Sequence, residues 1–240
     1  MRQRAWLFVS VFKKRAKMRK LKVKAVLFDM DGVITDTMPY HFRAWRRVMK
    51  ENGIDVTECE VYLREGQPGR RTIKEIFAER GLVFDPVLAK KIIRDKEKLF
   101  KKIVRHRFVR GARRFVSHAA KKGLVLGLVT GTARHEVKKI MPASLRRSFR
   151  VSVTGDEVRH GKPNPEPYLL ALKKLGIRPC EAVVLENAPF GIHAAKKAGL
   201  TCIALETSLP RTYLKDADMV FSSYRELERK VILTPLDGSL

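Results

Sequence analysis

Two carboxylates, Asp29 and Asp31, stand two residues apart in the run Asp29-Met30-Asp31-Gly32, directly behind the apolar stretch 23–28. At the carboxyl end of a parallel strand, such a pair faces the crevice where open α/β sheets bind ligands. Burying both without partners is costly, so a bound cation resolves them, whereas an ordinary Asp-Gly turn is the competing reading. Three further segments carry polar groups behind short apolar runs or in stiff loops. Thr130-Gly131-Thr132 follows the run 124–129 and precedes a helix, so its hydroxyl and amides can hold a phosphate or simply cap the helix. Lys162 lies in Gly161-Lys162-Pro163-Asn164-Pro165-Glu166-Pro167, where prolines would fix a point charge toward an anion; a surface lysine in a helix-entry loop has the same local sequence. Glu186-Asn187 ends the run 182–185, and either the acid binds a metal or Asn187 caps the next helix. A nucleophile, a hard cation, a fixed positive charge and hydroxyl or amide donors are what phosphoryl transfer requires.

The elements that must position these groups are legible from punctuation. Lys121-Lys122-Gly123, Lys173-Lys174-Leu175-Gly176 and Lys196-Lys197-Ala198-Gly199 each put lysines in a helix's last turn and glycine just beyond it. Short apolar runs follow at 124–129, 182–185 and 201–205, and with 23–28, 151–154 and 219–221 they predict a doubly wound α/β domain with a parallel sheet. Between about 38 and 107 the period becomes helical: His41, Phe42, Trp45, Val48 and Met49 recur on one face, as do Ile73, Ile76 and Phe77. Asp85-Pro86 supplies an N-cap and first-turn proline for a long helix reaching about Val104. An all-helical segment inserted after the first strand is placed to cover the ligand edge of the sheet.

The chain has 240 residues with 45% hydrophobic and 8% aromatic side chains, which excludes a disulfide miniprotein and a disordered chain. Cys59, Cys180 and Cys202 are odd in number and form no C-x-x-C pair, which argues against a disulfide framework or zinc site and fits a reducing cytoplasm. With 51 Lys and Arg against 25 Asp and Glu, the formal charge is +26, a field that favours anionic partners. Ten of these bases and no acid fall in residues 1–24, so residues 1–20 read as a basic, disordered extension. Its apolar run 5–12 is far shorter than the roughly 20 residues needed to span a bilayer, and no transmembrane segment is expected. Arg2 and Arg4 imitate a signal peptide, but Lys13-Lys14-Arg15 follow at once with no cleavage site. The segment is either a basic surface anchor or translation from a start upstream of Met18.

The motifs DMDG at 29–32, VTGT at 129–132, GKPNPEP at 161–167 and LENAPFGIHAAKKAG at 185–199 resemble the haloacid dehalogenase superfamily of Mg²⁺-dependent phosphotransferases. Val33-Ile34-Thr35-Asp36-Thr37 and Tyr40-His41-Phe42-Arg43-Ala44-Trp45 are similar to its helical-cap branch, which includes β-phosphoglucomutase and small-metabolite phosphatases. The resemblance implies a Rossmann-like core at 21–37 and 108–230 and a helical cap at 38–107. It implies that Asp29 attacks phosphorus, that Asp31 acts as general acid and base, and that Thr130 and the Gly131 amide hold the phosphoryl group. Lys162 would offset phosphoryl charge, and Asp29, Asp31, Glu186 and Asn187 would form the Mg²⁺ site. Asn187 departs from the usual Asp, and Thr130-Gly131 from the Ser-Ala of related mutases.

Substrate choice then falls to the cap. His41 and Trp45 share a helix face, and Arg70-Arg71 follow the loop Gly66-Gln67-Pro68-Gly69, so His41, Arg70 and Arg71 are candidate contacts for a small phosphorylated metabolite, although Trp45 also suits the cap's own core. The function expected is a phosphatase of small phosphomonoesters. A phosphomutase of the β-phosphoglucomutase type is the alternative. A third reading, a basic nucleic-acid-binding protein with little catalysis, is motivated by the charge of +26 and by Asn187, with nine basic residues and no acid in 101–122. Nothing in the sequence specifies an oligomeric state.

Overall fold

The structure is a computed structural model and describes residues 18–236. The expectations for residues 1–17 lie outside this range. In chain order its first half comprises β1 (Arg19–Val23), β2 (Ala25–Phe28), α1 (Met38–Glu51), α2 (Glu58–Leu63), α3 (Gly69–Glu79), α4 (Pro86–Ile103) and α5 (Ala112–Lys121). The second half comprises β3 (Val125–Val129), α6 (Arg134–Ile140), α7 (Ala143–Arg146), β4 (Val151–Val153), α8 (Glu166–Leu175), β5 (Ala182–Glu186), α9 (Pro189–Lys197), β6 (Thr201–Leu205), β7 (Met219–Phe221), α10 (Tyr224–Lys230) and β8 (Val231–Pro235).

Six strands form one parallel sheet in the order β4-β3-β2-β5-β6-β7, with helices on both faces. Period-two alternation divides the central strand between two layers. Val26 and Phe28 of β2 pack with Phe115, Val116 and Leu227 from α5 and α10, while Leu27 packs on the opposite side with Tyr168, Leu172 and Ile192 from α8 and α9. Strands buried on both faces must be short continuous apolar runs, which is why they were readable from sequence. The glycines expected past the ends of α5, α8 and α9 all adopt positive φ: 82° at Gly123, 65° at Gly176 and 76° at Gly199.

One expectation fails at the edge of the domain. Arg19 and Lys20, counted with the disordered extension, are strand residues, because β1 pairs in parallel with β8 from Arg19 opposite Val231 to Val23 opposite Pro235. Residues beyond 230, left outside the core, supply the partner. Each strand buries only its alternate side chains, such as Val23, Val231 and Leu233, so neither shows the apolar run by which the main strands were found.

Between β2 and α5 stand only helices. Asp85 caps α4 through Val87 N at 2.7 Å, and Pro86 occupies its first turn. Ala89 and Ile92 of α4 meet Trp45, Val48 and Met49 of α1 in the same apolar cluster that contains Ile73, Ile76 and Phe77 of α3. Among the described residues, no helix is long and apolar enough to cross a membrane.

Candidate active site

The central strands deliver their polar groups to one edge. Asp29 directly follows β2, Thr130 follows β3, and Glu186 ends β5 with Asn187 next, and all are buried there together with Asp31 and Lys162. Register explains the convergence: Phe28 lies opposite both Leu128 and Leu185, so the residues that follow emerge side by side.

Lys162 is the hub. Its Nζ donates to Asp29 Oδ1 at 2.6 Å, to Glu186 Oε1 at 2.7 Å and to the Val129 carbonyl oxygen at 3.2 Å. Burial alone would strip the proton from this amine, but the two carboxylates outweigh it and hold the ammonium above its ordinary range. Burial drives the Asp29 carboxyl well up, and the lysine only partly opposes that rise because its charge is shared with Glu186. Asp29 Oδ2 is buried with no hydrogen-bond partner.

Asp31 is held differently. Thr37 Oγ1 donates a short hydrogen bond to Oδ1, Thr132 Oγ1 donates to Oδ2 at 2.9 Å, and His41 Nε2 lies 3.4 Å from Oδ1. Burial would raise this carboxyl, but His41 and the two hydroxyls outweigh burial and leave it below the usual range. An ammonium can only donate, so Lys96 Nζ at 3.1 Å from His41 Nδ1 places the ring proton on Nε2, the nitrogen facing Asp31. Two carboxylates two residues apart thus have opposite titration tendencies, burial prevailing at Asp29 and the surrounding donors outweighing it at Asp31.

Glu186 was expected among the metal ligands, and the geometry gives it another task. Oε1 accepts from Lys162 and from Tyr168 Oη at 2.8 Å, and Oε2 accepts from the Asn187 amide at 2.9 Å and the Ala188 amide at 3.4 Å. It therefore anchors the lysine. A Cβ on Gly191 would stand 1.8 Å from Glu186 Oε1, so α9 comes this close to the carboxylate only with glycine there. Asn187 does not cap α9 with its side chain; Nδ2 donates to Ser208 Oγ at 2.8 Å, and the buried Oδ1 is left without a partner. Gly32, at φ 82°, makes room for this amide, since a Cβ there would lie 2.2 Å from Asn187 Nδ2. Among the described residues, no three His, Cys, Asp or Glu side chains converge as a ligand set. The open acceptors are one carboxylate oxygen of Asp29 and one amide oxygen of Asn187, both hard and suited to Mg²⁺.

The cap loop between α2 and α3 closes over this edge. A Cβ on Gly66 would approach Lys162 Cδ to 3.0 Å, and a Cβ on Gly131 would approach Gly66 O to 3.3 Å. His41 lines the cleft beneath the cap, stacked on Phe100 with ring centroids 4.0 Å apart; Gly131 lines its floor. Arg70 and Arg71 do not line it. Thr72, Ile73, Ile76 and Phe77 form the buried face of α3, which leaves both arginines exposed: Arg70 lies over Phe84 and Arg71 donates to Glu75 Oε1 at 2.8 Å. Their place is taken by Glu65, Gln67 and Lys96, which the sequence reading missed. The available signal was a lysine within the apolar stripe Ala89, Ile92, Phe100 of an amphipathic helix, where a charge needs a reason. Burial lowers the Lys96 amine and raises the Glu65 carboxyl.

Residues 26–205 match a family described as haloacid dehalogenase-like hydrolases. A Thermotoga maritima protein named phosphorylated carbohydrates phosphatase is 35% identical over 181 residues, which is 74% of this chain and 82% of that protein. A solved structure described as a candidate β-phosphoglucomutase from Bacteroides vulgatus superposes with a TM-score of 0.76 at 35% identity, covering 88% of each chain. A structure of CbbY from Rhodobacter sphaeroides in complex with xylulose-1,5-bisphosphate gives 0.72 at 27% identity over 88% of this chain and 100% of that one.

Proposed function

The chain belongs to the haloacid dehalogenase-like hydrolase family, and from that membership we propose that it is a Mg²⁺-dependent phosphatase of small phosphomonoesters of the sugar-phosphate type. The observation that carries this reading is the buried lysine clamped between Asp29 and Glu186 beside an unpaired Asp29 oxygen. Residues 19–37 and 108–235 act as the catalytic core and 38–107 as the cap. The three unpaired cysteines support a cytoplasmic setting.

The Asp29 oxygen free of Lys162 attacks phosphorus, a bond forms between them, and the bond from phosphorus to the substrate's ester oxygen breaks. Asp31, which must first take up a proton against its lowered titration, gives it to the departing alkoxide. Water then attacks the aspartyl-phosphate, Asp31 takes the water's proton, and Asp29 is regenerated as phosphate leaves. Thr130, the Gly131 amide and Lys162 hold the phosphoryl oxygens, and the His41 ring keeps Asp31 in place. Mg²⁺ would be held by Asp29 Oδ2, the Asp31 carbonyl and Asn187 Oδ1, and when bound it supplies charge neutralisation of the phosphoryl group.

The test is a panel of phosphomonoesters assayed for inorganic phosphate with and without Mg²⁺. Release from sugar or polyol phosphates only with the metal is expected. Conversion of β-glucose 1-phosphate to glucose 6-phosphate without free phosphate would replace the phosphatase by a mutase, and no reaction with any ester would end both.

Asn187 makes a second expectation. Exchanging a neutral amide oxygen for a carboxylate adds a full charge to the ligand set, so Asn187→Asp should lower the Mg²⁺ concentration for half-maximal activity by about tenfold. Titration calorimetry with Mg²⁺ alone checks it; equal affinity in both proteins removes Asn187 from the site.

A further inference from the structure

The cap wall of the cleft presents acceptors where a charged substrate tail would need donors. Arg64 lines the cleft but is committed elsewhere: Nη1 donates to the Glu60 carbonyl oxygen at 2.9 Å, Nε lies 3.5 Å from Glu75, and Nη2 meets Glu79. Lys96 is turned to His41 and lies 5.3 Å and 5.2 Å from the ring centroids of Trp45 and Phe100. Glu65 forms no ion pair within 4.0 Å among the described residues. Gln67 donates from Nε2 to Thr72 Oγ1 and Glu75 Oε2, both at 3.1 Å, which fixes its amide orientation and leaves the buried Oε1 unpartnered. Glu65, a carboxylate without an ion-pair partner among the described residues, thus lines the space beyond the phosphoryl site.

We propose that Glu65 is the specificity-determining residue of this cleft, accepting hydrogen bonds from the hydroxyls of a sugar or polyol monophosphate and repelling any second phosphate, so that bisphosphates are rejected. This rests on the phosphatase reading above and names the substrate class within it. Hydroxyl donors satisfy a carboxylate by charge-assisted bonds. A dianionic group in the same position meets like charge at short range in a partly dry cleft, the repulsive half of a selective site.

The experiment measures binding rather than turnover, using the full chain carrying Asp29→Asn with Mg²⁺ present. Titration calorimetry with glucose 6-phosphate, sorbitol 6-phosphate and glucose 1,6-bisphosphate should give a preference for a monophosphate of about tenfold, the scale of one short-range charge repulsion. Adding Glu65→Gln should narrow the preference to within about threefold, and adding Glu65→Lys should reverse it. Equal affinity for the bisphosphate, no monophosphate binding, or a ratio unmoved by both Glu65 variants overturns the proposal. Failure of the phosphatase reading shows separately, as absence of phosphate release by the unsubstituted protein.

Discussion

Asp29→Asn is expected to abolish phosphate release while leaving the protein at least as stable as the parent. Asn keeps the shape of the side chain but lacks a nucleophilic oxygen, and removing an attacking group costs about 10⁴-fold or more. Stability should move the other way. The folded Asp29 carboxyl is raised above its unfolded value, so its contribution is fully present at low pH and is lost as pH rises through the folded value; near neutrality the ionised group opposes folding. A neutral amide removes that opposition, and Lys162 keeps Glu186 as a one-to-one partner at 2.7 Å. Thermal melting at pH 7.5 in the absence of metal, beside a phosphate-release assay, reads both effects. A variant retaining more than about one part in a hundred of the parent rate would show that Asp29 is not the attacking group.

Lys162→Met is expected to lower activity and stability together. Met fills similar volume, but it leaves Asp29 and Glu186, 7% and 1% exposed, as two buried carboxylates with no cation between them. Breaking a buried ion pair by deleting one partner costs about 3–5 kcal/mol, and the lost charge on the transferring group costs about a thousandfold in rate. The sign of the pH dependence follows from Asp29. Asp29 is already raised by burial and loses the one cation that opposes the rise, so the deficit against the parent is largest above neutrality and shrinks in acid as it protonates. Urea unfolding at pH 8 and pH 5, with and without Mg²⁺, tests this. A deficit that does not shrink toward pH 5 would place the loss in packing rather than charge.

The two expectations oppose each other in stability because one ammonium serves two carboxylates. Removing an acid balances the cluster, and removing the base leaves it doubly charged. That arithmetic was not visible in the sequence. Asp29, Thr130, Lys162 and Glu186 were each identified by their position behind an apolar run or within a stiff loop. That Glu186 anchors Lys162 was not legible, because the contacts of a strand-end acid depend on which side chains lie across the sheet. Tyr168 and Lys162 approach it from a different segment, and Gly191 lets the next helix come close.

The cap shows the same division. Its helices were legible from period, and the cap end of α4 from Asp85-Pro86. Arg70 and Arg71 were chosen because arginine suits phosphate, yet the buried face of α3 is set by Ile73, Ile76 and Phe77, and both arginines fall on the other side. Glu65 gave no motif of its own, and Lys96 only its place in the apolar stripe of α4; both line the cleft where two elements of the cap meet above the sheet.

By itself, the chain's order of residues determined the layered α/β core, the inserted helices and the set of groups at the strand ends, because these follow from local periodicity, caps and short apolar runs. Tertiary structure alone decided how those groups share charge, which acids stay open to a cation, which cap residues reach the cleft, and that β1 and β8 pair. Each of these depends on distances between segments tens to hundreds of residues apart, and such distances are set by packing rather than by any local preference.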